Sequence, residues 1–180
     1  GLIGVLIAMF LFARKTGKRF FEVTDFIAPI IPVGLFTGRI GHFINGELWG
    51  DPTDLPWGMQ VRCQEFYYLC VSKLQLPASS VLSPALHPSQ LYEALLEGVL
   101  LFVLLWLLAN RRPPLMVVSG AFLLLYGFFR FLVELVRMPD AHIGYLWADW
   151  LTMGQLLSFP MIFIGVLLMG LAYTGKPGNN

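Results

Sequence analysis

Charged residues are scarce in this 180-residue chain, and their scarcity argues against a soluble domain. They make up 13% of the sequence, against 57% for hydrophobic residues, whereas a soluble domain carries about a quarter charged residues. The formal net charge is only +1, so no basic excess points to a nucleic-acid partner. We therefore expect an all-α protein, a polytopic transmembrane helix bundle that forms a single domain.

Cysteine is also scarce, with only Cys63 and Cys70 in the whole sequence. Without a CxxC string or a Cys/His cluster, the sequence predicts no structural zinc site, and we expect no metal and no cofactor. The two thiols can form a disulfide if their segment lies in an oxidising compartment. They can equally remain unpaired in an apolar loop, and the sequence leaves both alternatives open.

Long apolar runs are present, and they determine the organisation of the chain. Three of them have about the 20 residues that a crossing needs: 89–109, 116–136 and 153–173. Residues 25–45 are apolar as well, but Pro29 and Pro32 predict a kinked or re-entrant span there. Residues 1–13 are too short to cross. With no basic segment before them and no cleavage site after them, we expect the chain to begin partway through a helix.

Basic residues predict the orientation of these spans. They collect in residues 14–22, in residues 110–115 and in the tail. Four crossings after the first segment place all three groups on one side, which is cytoplasmic by the positive-inside rule. The polar-aromatic connection 46–88 and the segment 138–152 are then expected outside the membrane.

Charged residues within a span form the first candidate site. Arg130 and Glu134 are four residues apart, so they can meet on one helix face, and Arg137 extends this face outward. Ionisable groups at membrane depth usually face a cavity or a partner. The alternative is a purely structural ion pair with Arg137 reaching to the interface, and these three residues alone leave it open.

Two further polar clusters are expected at the same outer end. The string GRIGHFINGELWG (38–50) contributes Arg39, His42, Asn45 and Glu47, and its glycines predict a loop that wraps a phosphate. The string HPSQLYE (87–93) contributes His87, Gln90, Tyr92 and Glu93, with Ser89 as a candidate helix cap; Tyr92 could also be an interfacial anchor. Because the planar fork of arginine matches phosphate oxygens, the clusters predict a pocket for an anionic phospholipid head group.

Four strings, GRIGHFINGELWG, HPSQLYEALLEG, LLLYGFFRFLVELVRMPD and MGQLLSFPM, closely resemble those of the bacterial prolipoprotein diacylglyceryl transferases. The resemblance extends over nearly the whole chain. It implies a seven-helix enzyme of the bacterial inner membrane that uses phosphatidylglycerol and a lipoprotein precursor. The diacylglyceryl group would pass to the cysteine thiol of the precursor's signal peptide, forming a thioether and releasing glycerol phosphate.

The resemblance also implies roles for individual residues. It makes Arg39 the phosphatidylglycerol-binding arginine, and Arg130 the essential arginine with Glu134 as its partner. The resemblance also adds Glu47 and Tyr126. We therefore predict a catalytic set of Arg130, Glu134, Glu47 and Tyr126. The predicted substrate-binding set is Arg39, His42, Asn45, Glu93, Gln90 and His87.

The chain departs from the family pattern at two places. His42 stands where the family usually has asparagine, although histidine can still donate a hydrogen bond. The family's His-Gly-Gly motif would lie just before Leu2, where only Gly1 remains. We therefore expect a C-terminal fragment of the enzyme, which without that motif can be inactive alone.

The chemistry of these residue types agrees with such a transfer. A thiolate would attack, and Arg39 and Arg130 could stabilise the charge that develops on the leaving phosphate. A glutamate could orient an arginine or take the thiol proton. The alternatives are a transporter or channel, which would distribute charges across the membrane depth, and a non-catalytic phospholipid-binding subunit, which the sequence excludes least well.

Overall fold

The computed structural model describes residues 1–138 and 152–174, and these ranges are helical without a β-strand. The principal helices are α1 (Leu2–Thr16), α2 (Phe20–Ile27), α3 (Ile31–Ile44), α4 (Ser89–Asn110), α5 (Val117–Glu134) and α6 (Met153–Thr174). The prediction of an all-α fold is confirmed. The predicted outward segment 138–152 lies outside the described residues except at its two ends.

Three helices, α4, α5 and α6, are long and apolar enough to cross a membrane, as predicted. A fourth crossing is available if α2 and α3, which are bent by 45° at a short break, form one span. The break lies at Pro29, as predicted. Pro32 occupies the first turn of α3, where its missing N–H is tolerated. The kinked span begins at Phe20 rather than at the predicted residue 25.

Most of the basic segment 14–22 is helical. Arg14 and Lys15 form the last turn of α1, where cations interact favourably with the exposed helix carbonyls. The helix ends at Gly17, whose φ of 67° is the left-handed conformation that favours glycine. The connection to α2 is therefore only a few residues long.

The first half of α4 departs from ordinary α-helical geometry. Residues Ala94–Leu100 form a π-helical stretch between the α-helical residues Ser89–Glu93 and Leu101–Asn110. Such stretches are rare and frequently occur at functional sites. The predicted Ser89 cap is wrong: the Ser89 hydroxyl donates to the carbonyl of Leu48 at 2.6 Å, which ties the start of α4 to the preceding connection.

Helices α5 and α6 form the most extensive helix–helix contact of the described chain. Glycines allow the two backbones to approach, as is common between membrane helices. A Cβ on Gly165 would lie 2.6 Å from the backbone nitrogen of Leu124 and 2.7 Å from the carbonyl oxygen of Gly120. The outer surface of α6, by contrast, carries exposed large apolar residues, as a lipid-facing helix would.

The connection between α3 and α4 folds around a small apolar core. The connection supplies the buried residues Trp49, Val61, Leu69 and Leu86, and Met138, which follows α5, packs against them. Cys63 and Cys70 are joined in a disulfide beside this core, which decides between the two alternatives that the sequence left open. The connection is therefore an ordered layer over one end of the helices.

Gly50 joins this layer to the helix ends. Its N–H donates to the carbonyl of His87 at 2.9 Å, and the next N–H, of Asp51, donates to the carbonyl of Val136 at 3.0 Å. A Cβ on Gly50 would lie only 2.4 Å from the Val136 carbonyl oxygen. Three segments thus meet at a point that has no room for a side chain.

The contact between α5 and α6 can be tested with a matched pair of glycine substitutions. Gly165→Ala should destabilise the protein by about 1–3 kcal/mol, the usual cost of overpacking, because the new methyl group meets backbone atoms. Gly170→Ala is the control, since a Cβ there meets nothing within 4 Å. The measurement is thermal unfolding in detergent. Equal midpoints for the two variants would show that α5 and α6 are not in close contact.

Candidate functional site

Three arginines and three glutamates meet at one end of the helices. Arg39 comes from α3, and Glu93 and Glu97 come from α4. Arg130 and Glu134 come from the end of α5, and Arg137 follows that helix. The formal charges of the six side chains cancel. We call these six residues the arginine–glutamate cluster.

Glu93 is the centre of the cluster and is fully buried. Its Oε2 lies 3.1 Å from Nη1 of Arg39, and its Oε1 accepts a hydrogen bond from Nη1 of Arg130. The same Oε1 lies 3.5 Å from Nη1 of Arg137. One carboxylate therefore contacts three guanidinium groups, and the predicted proximity of Arg39 and Arg130 is confirmed.

Glu97 is a second fully buried carboxylate, in the π-helical stretch of α4. Its Oε2 accepts from Nη2 of Arg39 at 3.2 Å, and its Oε1 lies 3.9 Å from Nη1 of Arg130. Glu97 was not among the predicted site residues. The available signal was an acidic residue four positions after Glu93 inside the same apolar span.

Glu134 pairs with Arg130 as predicted, with Oε2 3.3 Å from Nη2. Its other oxygen accepts from the Thr152 hydroxyl at 3.0 Å, so the residue just before α6 also holds this carboxylate. Arg137 is buried and lies 3.9 Å from Glu134. It does not reach out to the interface, so the simple alternative of one ion pair with an outward Arg137 is excluded.

Arg39 lies inside α3, and the predicted phosphate-wrapping loop around it is wrong. Residues 31–44 are helical despite their glycines, because an apolar span satisfies its backbone groups internally. A Cβ on Gly38 or Gly41 would meet nothing within 4 Å, so neither glycine is required by close packing. The backbone around Arg39 is hydrogen-bonded within the helix and does not wrap a ligand.

The two arginines predicted to act on the phosphate remain partly accessible. The side chains of Arg39 and Arg130 are 15% and 18% exposed, whereas those of Glu93 and Glu97 are 0% exposed. The carboxylates therefore lie on the inner side of the cluster and the guanidinium groups on its outer side. This arrangement presents two prepositioned cations to an anionic ligand.

Several predicted residues lie beside the cluster, not in it. His42 Nδ1 and Glu47 Oε2 are 2.8 Å apart, and both side chains are exposed. Asn45 and Glu47 line a groove of about 640 Å³ together with residues of the disulfide-linked segment. Gln90 is fully buried, and its amide donates to the backbone carbonyl of Glu47. The link through Gln90 joins the turn after α3 to the start of α4.

His87 and Tyr92 belong to the base of the outer connection. The Tyr92 hydroxyl accepts from Nε1 of Trp57 at 2.8 Å and lies 3.2 Å from Nδ1 of His87. Burial raises the pKa of the neighbouring Asp51 carboxyl, and the charge of His87 partly opposes this rise. These contacts attach the connection to the start of α4.

Tyr126 lies one helical turn before Arg130. It is partly buried, and its ring stacks on that of Phe122 with centroids 5.7 Å apart. It is also within electrostatic range of Glu97 and Arg130. The predicted catalytic tyrosine is thus adjacent to the arginine–glutamate cluster.

A family model described as prolipoprotein diacylglyceryl transferase matches residues 1–171. The chain belongs to this family. Three similar curated proteins carry the name phosphatidylglycerol–prolipoprotein diacylglyceryl transferase. The one from Methylococcus capsulatus is 53% identical over 98% of this chain and 61% of its own length. The one from Pseudomonas syringae pv. syringae is 51% identical over 98% and 60%, and the one from Azotobacter vinelandii is 54% identical over 96% and 59%.

The chain therefore spans about three fifths of the length of the curated relatives that it matches.

The stability of the cluster can be tested at its centre. Removing one partner of a buried ion pair typically costs about 3–5 kcal/mol, so Glu93→Gln should destabilise strongly by leaving guanidinium charge uncompensated. The control is Glu65→Gln, which affects only an exposed pair with Arg62 at 3.8 Å, a kind of contact that contributes little. Unfolding in detergent by heat or denaturant compares the two. If Glu93→Gln unfolds like the control, Glu93 does not hold the arginines together.

Proposed function

We propose that the complete protein transfers a diacylglyceryl group from phosphatidylglycerol to the cysteine thiol of a lipoprotein precursor. The observation that carries the proposal is the position of Arg39 and Arg130. Both bind the buried Glu93 and both keep an accessible side. Two fixed and reachable arginines suit a phosphodiester, because their forks match its oxygens.

The proposed reaction is a substitution at the glycerol carbon that carries the phosphate. The cysteine loses its proton to a carboxylate of the site, and the thiolate sulfur attacks that carbon. A carbon–sulfur bond forms while the carbon–oxygen bond to phosphate breaks. The products are a thioether and glycerol phosphate, and the oxygen that leaves takes the electron pair of the broken bond.

The arginines act on the oxygen atoms of the leaving phosphate. Negative charge increases there as the bond breaks, and preorganised donors in a site with little water stabilise such charge strongly. Arg130 is held by Glu93 and Glu134, so we propose that it acts mainly by stabilising the transition state. Arg39, which is held by Glu93 and Glu97 and keeps an accessible side, also holds the lipid before reaction.

The predicted catalytic roles of Glu47 and Tyr126 remain part of this proposal. Glu47 is exposed and bound to His42, which suits a residue that exchanges protons with an incoming peptide. Tyr126 lies one helical turn before Arg130 on the same face of α5. The predicted binding residues Asn45, Gln90 and His87 would support the peptide side of the site.

A channel or transporter is less well supported than a transferase. Its charged residues would follow a path across the membrane, whereas the cluster lies near the end of α3, the start of α4 and the end of α5. The names of the relatives also refer to transfer. A purely lipid-binding subunit would bind phosphatidylglycerol without consuming it, which an assay distinguishes.

We further propose that the protein lies in the bacterial inner membrane with its site toward the outer leaflet. The basic end of α1 and the basic turn after α4 are expected in the cytoplasm by the positive-inside rule. The connection between α3 and α4 contains the Cys63–Cys70 disulfide, and disulfides persist in oxidising compartments. The signal peptide of the precursor would enter from the membrane, and no nucleic-acid partner is proposed.

The orientation can be tested with single introduced cysteines. Asp54 and Asn110 are both exposed. Asp54 lies in the connection that precedes α4, whereas Asn110 is the last residue of α4, so the two mark opposite ends of this helix. In intact cells, Asp54→Cys should react with a membrane-impermeant thiol reagent, and Asn110→Cys should react only after the membrane is opened. The reverse pattern would overturn the orientation and the assignment of the leaflet.

The roles of the arginines can be separated in the full-length enzyme. Arg130→Lys keeps the charge but loses the fork, so lipid binding should persist while the transfer rate falls by roughly 10²–10³, the scale for removing one preorganised donor. Arg39→Ala should weaken phosphatidylglycerol binding as well as turnover. Transfer to a cysteine-bearing lipoprotein signal peptide and lipid affinity are measured separately in detergent.

The control for these variants is Arg62→Ala, because the Arg62 side chain is 75% exposed and should not affect transfer. A wild-type rate for Arg130→Lys would leave Arg130 only a structural role. Phosphatidylglycerol binding without any transfer by the unmodified full-length protein would favour the lipid-binding subunit instead.

A further inference from the structure

We propose that Glu97 is a positioning residue for the transfer, acting through the orientation of the Arg39 guanidinium. This inference rests on the proposed function and extends it to a residue outside the predicted site. Glu97 is fully buried within an apolar span, where an ionisable side chain is costly without a role.

The contacts of Arg39 show what Glu97 contributes. Nη1 of Arg39 lies 3.1 Å from Glu93, and Nη2 lies 3.2 Å from Glu97. A guanidinium bound through one nitrogen can still turn about that contact, whereas one bound through both terminal nitrogens has a fixed plane. Glu97 therefore supplies the second point that determines how Arg39 faces its ligand.

Glu97 also relates Arg39 to Arg130. Each of the two α4 carboxylates contacts both arginines: Glu93 lies within 3.1 Å of both, and Glu97 lies 3.2 Å from Arg39 and 3.9 Å from Arg130. Two such bridges fix the separation of the guanidinium groups as well as their relative tilt. With Glu93 as the only bridge, the guanidinium groups of Arg39 and Arg130 could still rotate relative to each other.

The backbone of α4 is adapted to this arrangement. The π-helical stretch Ala94–Leu100 includes Glu97 and begins directly after Glu93. Gly98 follows Glu97, and a Cβ on it would lie 2.7 Å from Cβ of Phe36 in α3. The close approach of α3 and α4 at this point brings the Glu97 carboxylate within reach of Arg39.

The test uses the full-length enzyme with phosphatidylglycerol and a synthetic cysteine-bearing signal peptide. Glu97→Gln keeps the size of the side chain but removes its charge. We expect kcat/KM for phosphatidylglycerol to fall by about 10²-fold, the scale on which a misplacement of ~1 Å reduces a rate. The KM for phosphatidylglycerol should rise and the KM for the peptide should not change.

A merely structural role would give a different result. Loss of folded protein lowers the total rate but leaves both KM values unchanged. Glu97→Asp keeps the charge on a shorter side chain and should recover part of the activity, which also covers the case in which Glu97→Gln folds poorly. The control is Glu22→Gln, an exposed substitution at the start of α2 that should not change either parameter.

A double-mutant cycle identifies the residue through which Glu97 acts. Lysine at position 39 has one ammonium group and cannot be fixed at two nitrogens, so Glu97→Gln should cost much less in the Arg39→Lys background than in the wild type. Equal costs in both backgrounds, or wild-type parameters for both Glu97 variants, would overturn the inference. Absence of transfer by the unmodified enzyme would instead refute the proposed function.

Discussion

The ion pairs of Glu93 hold the functional end of this molecule together. A carboxylate with no exposed surface is stable inside a membrane span only if opposite charge surrounds it. Here that charge comes from Arg39 on α3 and from Arg130 and Arg137 at the end of α5. One side chain of α4 thereby connects the ends of two other helices, and the position of each arginine depends on the other two.

The balance of charge within the cluster has a chemical consequence. Three glutamates neutralise three arginines, so the site is stable without a ligand. Since Arg39 and Arg130 are partly exposed while Glu93 and Glu97 are not, a ligand can approach the arginines without displacing the carboxylates behind them. Such a site can bind and release an anionic ligand while retaining its geometry.

The features that follow from local sequence could be predicted, and those that depend on contacts between helices could not. The three long spans, the kink at Pro29 and the pairing of Arg130 with Glu134 follow from hydropathy, proline chemistry and helical spacing. Arg39 was misplaced in a loop, because glycine-rich strings occur both in loops and in closely packed membrane helices. Ser89 was misread as a cap, because its partner, Leu48, lies in a distant part of the connection. Glu97 was missed because its significance depends on Arg39, which lies 58 positions earlier in the chain.

Gly50 shows that tolerance to mutation need not follow the chemistry of the site. It carries no functional group, yet the outer connection, the start of α4 and the end of α5 meet around its α-carbon. Any side chain there must push the Val136 carbonyl or His87 away, and Val136 immediately precedes Arg137. A substitution at Gly50 would thus increase the separation between the start of α4, which carries Glu93, and the end of α5, which carries Arg130. In a library of variants selected for growth, this position, which has no side chain, would tolerate substitution as poorly as the positions of the arginines.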